Sequence, residues 1–136
     1  MTCFWSGIIR LLDYREINKV LDTNFLSTPP ERLFIRALKA KNINVTTIKH
    51  NGNNLEYNQI KENFEHIKSI NIKQIGKGYL CSGCEPVLFL ISYLFGYDIK
   101  HIINDTAIYY AHPNPIGKLT FGSNSIHFYP IRKHFW

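Results

Sequence analysis

The hydrophobic pattern along the chain changes period near its middle. Phe4, Ile8, Leu11 and Leu12 follow a helical spacing from Cys3 onward, with Thr2 placed to cap the first turn. Asp13 to Leu21 either prolongs that helix or forms a second one. The stretch Asp22 to Pro30 reads as a loop. Thr28-Pro29-Pro30-Glu31-Arg32 predicts a helix start with Thr28 as cap and a proline in the first turn, and Leu33, Ala37 and Leu38 give that helix its apolar face.

Beyond that point the pattern turns to alternation. Ile43 to Lys49 predicts a strand, and Asn51-Gly52 directly after it is a hairpin signal, with Asn54 to Tyr57 as a short return. Asn58 to Ile70 predicts a helix with Ile60, Phe64 and Ile67 on one side. Glu85 to Gly96 predicts a buried helix, because it is apolar nearly all round, with Pro86 in its first turn and Gly96 just past its end. Three strands are expected after it: Asp98 to Ile103, Ala107 to Ala111 and Ser125 to Ile131. Asn114-Pro115 and Gly122-Ser123 are read as breaks between them. Helices first and a small sheet last predict one α+β domain over residues 1–136.

Composition fits this reading. With 136 residues, 45% hydrophobic and 19% charged, the chain is long enough for one core and too apolar for disorder. The net charge of +6 favours acidic partners, but the lysines and arginines are scattered, so a nucleic-acid footprint is not the leading expectation. The longest apolar run, Pro86 to Phe95, is far short of the ~20 residues that a membrane span needs. The N-terminal residues lack the basic and small-residue features of a secretory leader. Three cysteines, an odd number, argue against a disulfide framework. The expectation is a monomer in a cytoplasmic, reducing compartment, with no membrane association.

Two residues stand out chemically. Cys3, in the first turn of a helix, would feel the positive end of the helix dipole, which stabilises a thiolate, and the amides there could hold an oxyanion. The alternative is a small core residue beside Phe4 and Trp5. His127 lies in Ser125-Ile126-His127-Phe128-Tyr129, where strand alternation would turn Ser125, His127 and Tyr129 away from Ile126 and Phe128. An imidazole there can serve as general base to a thiol. Cys81 and Cys84 make half of a zinc site, but no second pair with suitable spacing follows, so no metal is expected.

Three segments, in order, resemble the ovarian-tumour (OTU) family of cysteine deubiquitinases. Cys3-Phe4-Trp5-Ser6-Gly7-Ile8 looks like that family's nucleophile and the helix behind it. Gly78 to Ile99 resembles its glycine-containing loop, its glutamate-started buried helix and the strand that follows. Ser125 to Ile131 is similar to its late strand with the catalytic histidine and an aromatic after it. Together they cover about a quarter of the chain. The resemblance implies an OTU-like, papain-like cysteine-protease fold, with a small antiparallel-rich sheet packed between helices. It implies a hydrolase that releases ubiquitin or a ubiquitin-like modifier from lysine through an acyl-enzyme on Cys3, with no cofactor. His127 would be the base, Asn124 a third member, and Thr2 and Cys3 the source of the oxyanion amides. Gly83, Cys84, Glu85 and Phe128 would line the channel for the modifier's tail.

The chain departs from the family pattern in two places. Only Met1 and Thr2 precede Cys3, where the family carries Asp-Gly-Asn. Tyr129 stands where the family often has Asp or Asn, leaving Asn124, Asn114 or Asp105 to orient His127. A non-catalytic module on the same fold that binds ubiquitin or another protein, and a basic nucleic-acid-binding domain, are the competing expectations.

Overall fold

A computed structural model describes residues 3–73, 85–124 and 126–136. Helices α1 (Cys3–Leu11), α2 (Tyr14–Leu21) and α3 (Glu31–Ala40) come first, then a short β1 (Lys49–His50) and α4 (Tyr57–Lys68). The buried helix α5 (Glu85–Phe95) leads into β2 (Tyr97–Ile103), β3 (Thr106–Ala111), β4 (Gly117–Ser123) and β5 (Phe128–Phe135). The strands form one sheet in the order β1-β3-β2-β4-β5, in which β2 and β4 run parallel and the other pairs antiparallel.

Local chemistry accounts for most of these boundaries. Asp13, two residues past the end of α1, starts α2: its carboxylate accepts the Arg15 N–H at 2.8 Å while Glu16 accepts the Asp13 N–H at 3.0 Å, a reciprocal capping box. Asp13 to Leu21 is therefore a second helix. Asn51 and Gly52 both have positive φ, at 50° and 83°, and turn β1 back so that His50 and Asn53 exchange backbone hydrogen bonds. In α5, Val87 to Ser92 and Phe95 are all buried, as its all-round apolar pattern requires. Its one buried hydroxyl, Ser92, donates to the Tyr97 carbonyl at 2.6 Å.

Five expectations from the pattern need correction. Asn54 to Tyr57 forms no return strand: only Asn53 bridges to His50, and Tyr57 already opens α4. The α3 helix begins at Glu31, so both prolines precede it and Pro30 occupies the cap position with no side-chain hydrogen bond. Of the predicted strand Ile43 to Lys49 only Lys49 pairs. Its buried members Val45 and Ile48 lie three apart, which no strand face allows. Gly117–Ser123, which holds the supposed break at Gly122-Ser123, is a strand at the heart of the sheet. The last strand starts at Phe128 and not at Ser125, and Ser125 itself lies outside the described residues.

The sheet is also not packed between helices in the described residues. Tyr97, Ile99 and His101 of β2, Tyr110 of β3, Leu119 and Phe121 of β4 and Phe128 of β5 are buried on one face. There α1 packs on β5, and α5 packs on β2 and β3. The alternate positions Tyr109, Tyr129, Arg132 and His134 are exposed on the opposite face, with Lys100 and Lys118 half-buried among them. The described residues form two layers, helices on one side of a mixed sheet. No described helix is long and apolar enough to cross a membrane.

Candidate functional site

The first helix and the last strand, from opposite ends of the chain, meet. Phe4 and Phe128 pack edge to face, with ring centroids 4.8 Å apart. Phe4 follows Cys3, the first residue of α1, and Phe128 follows His127. Behind them Gly7 lets the helix come close: a Cβ there would lie 3.0 Å from the Phe128 ring and 3.5 Å from Pro130. On its far side α1 is anchored by Trp5 against Phe34 of α3, with centroids 6.4 Å apart. The N-terminus of a packed helix is thus held beside the segment that carries His127.

That segment is a turn and not a strand. The Asn124 Oδ1 accepts the backbone N–H groups of Ile126 and His127, each at 2.8 Å, and the Asn124 N–H donates to the His127 carbonyl at 2.9 Å. Side-chain capture of two amides ends the pairing with β4. It also changes the predicted facing, because Ile126 is 76% exposed and His127 is exposed, while Phe128 is buried. Asn124 therefore acts on His127 through its backbone, and its carbonyl oxygen is occupied by that work.

The other two residues held open for orienting His127 separate by position. Asn114 lies between β3 and β4, at the end of β4 opposite Ser123, and its N–H donates to His112 Nδ1 at 2.9 Å. Asp105 sits in the β2–β3 turn with Asn104, both at positive φ. Asn104 N–H donates to the Ser123 carbonyl at 3.3 Å. The Asp105 turn and the His127 turn share one end of the sheet.

Beneath this end lies a buried polar pair that the sequence reading passed over. His101 is 1% exposed, and its Nε2 is 2.8 Å from the Ser123 Oγ. Its ring also lies 5.3 Å from that of Phe128. Burial pushes the His101 imidazole down to about 4, so it is neutral at pH 7. The pair joins β2 to β4 at the residue just before Asn124 and gives the turn a fixed base. The spacing of the strand could have revealed it, since His101 shares the inward face with Tyr97 and Ile99.

Neither of the two described channel residues, Glu85 and Phe128, opens onto this site. Thr2, Gly83 and Cys84 lie outside the described residues, as does Cys81. Phe128 is 3% exposed and packs on Phe4, Phe121 and His101, so it belongs to the core and lines no open channel. Glu85 points to the opposite sheet edge, where its Oε1 is 3.3 Å from His50 Nε2 and 3.3 Å from Gln59 Nε2. Strands lie ~4.8 Å apart, so the four steps from β1 to β5 put Glu85 well away from His127. No protein-family model matches the chain, and no curated protein or solved structure matches it either.

Proposed function

We propose that the protein is a cysteine hydrolase of the OTU type, which releases ubiquitin or a ubiquitin-like modifier from lysine, with Cys3 as nucleophile and His127 as general base. The observation that carries this reading is the Phe4–Phe128 contact, which brings the helix that opens at Cys3 against the turn that presents His127. Exposure of His127 suits a base that must meet a macromolecular substrate.

In the proposed reaction the Cys3 thiol gives its proton to His127, and its sulfur attacks the isopeptide carbonyl. Backbone N–H groups at the start of α1 stabilise the oxyanion. The carbon–nitrogen bond then breaks, and the lysine amine leaves with the proton from His127. Water, deprotonated by the same imidazole, hydrolyses the thioester and restores the thiol. No cofactor enters these steps.

A second reading is a non-catalytic module on the same fold that recognises ubiquitin or another protein. What favours it is Asn124, whose oxygen serves the backbone and not the imidazole ring, together with Tyr129 at the position where an Asp or Asn would orient His127. The two readings part in one experiment: ubiquitin bearing a thiol-reactive C-terminal warhead is incubated with wild type, Cys3→Ala and His127→Ala. The hydrolase reading expects an adduct that requires Cys3 and forms more slowly without His127. An unmodified but folded wild type would refute catalysis and leave the binding module. An adduct on Cys81 or Cys84 would assign the chemistry to a different cysteine.

A further inference from the structure

On α3 the residues opposite the core form a cationic stripe. Phe34, Ile35 and Leu38 point inward and are buried, whereas Arg32 and Arg36 are exposed and Lys39 is half-buried, at the i, i+4, i+7 spacing of one helix face. Across from them lie Lys68, at the end of α4, and Lys73. These five cations, with Ser69, Ile70, Asn71 and Ile72, enclose an open cleft of about 640 Å³, and its described lining residues include no carboxylate and no aromatic ring.

Two hydrogen bonds fix its walls relative to each other. Lys39 Nζ donates to the Ile70 carbonyl at 2.6 Å, and Asn42 Nδ2 donates to the Phe64 carbonyl at 3.1 Å. Lys39 is thereby committed, while Arg32, Arg36, Lys68 and Lys73 have no ion pair among the described residues. Four cations around one concave surface repel one another and focus a positive potential into it. The arrangement is relieved by an anion of matching charge density.

We infer that this cleft is a binding site for a compact polyphosphate, a small molecule carrying several closely spaced phosphate groups. Arg32 and Arg36 supply the planar guanidinium forks that pair with phosphate oxygens two at a time, and Lys68 and Lys73 supply point charges from the facing wall. The volume falls in the range of small-molecule sites, about 300–1,000 Å³. The described lining residues offer no ring for a nucleobase to stack on, which favours this ligand over single-stranded nucleic acid. The inference is independent of the cysteine chemistry proposed above.

The test is a calorimetric titration with inorganic tripolyphosphate at low and moderate salt. The proteins are wild type, Arg32→Gln/Arg36→Gln, Lys68→Gln/Lys73→Gln and a control, Lys100→Gln/Arg132→Gln, which removes the same charge from the open sheet face. Saturable one-to-one binding is expected. Each cleft variant should weaken it roughly tenfold or more, while the control stays within about twofold. All substituted positions are outside the buried core, and far-UV circular dichroism checks that each variant is folded. Capture by phosphoinositide-containing vesicles that free tripolyphosphate competes away would keep the same phosphate chemistry and assign it to a lipid headgroup. The inference fails if binding does not saturate, if the control loses as much as the cleft variants, or if a short single-stranded RNA binds the cleft more tightly than tripolyphosphate does.

Discussion

Acid should loosen the end of the sheet that carries His127, and the magnitude follows from His101. Its imidazole is buried, hydrogen-bonded to Ser123 and held down to about 4 in the folded chain, against about 6.5 when unfolded. Above pH 6.5 neither state is protonated and the full stability is present. Between pH 6.5 and 4 the unfolded chain binds a proton that the folded chain refuses. Stability therefore falls with falling pH, by about 1.4 kcal/mol per unit. At pH 4.5 the loss reaches about 2.5 kcal/mol, a large part of the 5–15 kcal/mol typical of a domain. His66, also lowered by burial, pushes the same way, so the His101 share must be isolated by difference. Urea unfolding of wild type and His101→Gln at pH 7.5, 6.5, 5.5 and 4.5 does this. The variant should start less stable, and its deficit should shrink by about 2.5 kcal/mol at the acid end. Parallel curves for the two proteins would refute the buried, neutral assignment of His101.

Three further outcomes are expected. Phe128→Ala removes a buried ring that packs on Phe4, Phe121 and His101 and should cost about 3–5 kcal/mol in denaturant unfolding; a loss under about 1 kcal/mol would mean that α1 is not docked on β5. Asn124→Ala frees two backbone amides and should cost about 1–2 kcal/mol, with slower warhead reaction at unchanged Cys3, whereas Asn124→Asp should retain most of both. Gly117→Ala would place a Cβ 2.2 Å from the His134 carbonyl oxygen, a backbone atom that cannot swing aside. It should lower thermal stability by about 1–3 kcal/mol, and an unchanged melting temperature would argue against the close β4–β5 approach.

Most of the helices were legible because their signals are local. The apolar run of α5 and the Asn51-Gly52 turn act within a few residues, whereas the capping box at Asp13 went unread and left the division of α1 from α2 open. The sheet was harder to read, because pairing partners are distant in sequence. In β4 glycines stand at both ends of the inward pair Leu119 and Phe121, so composition imitates a loop. Yet Gly122 is there because the Tyr129 ring lies across it, where a Cβ would be 2.5 Å away. The start of β5 was misplaced by three residues because alternation cannot register a side chain that captures its neighbours' amides, as Asn124 does. Of the candidate site, the segments following Cys3 and His127 do meet. Phe128 looked like a channel residue because an aromatic after a histidine reads the same whether it faces a substrate or the core. Glu85 looked like one because helix order does not tell which sheet edge a helix start adjoins. His101 did not stand out as a core residue among six histidines, since only the pairing of β2 with β4 shows that its ring meets a serine.

The Phe4–Phe128 contact also sets an order of events during synthesis. Its two rings are about 120 residues apart in sequence, and closing a loop of that length costs about 4 kcal/mol of chain entropy before any contact repays it. The nine residues of α1 are too few to hold a helix alone in water, where roughly 12–15 are marginal. As the chain leaves the ribosome, Cys3 emerges early on a segment with no strand to dock on, and it waits until β5 has followed it out. Under the proposed function, a nascent chain or one cut before β5 would carry Cys3 on a helix with no strand to dock on, and it should not react with the warhead.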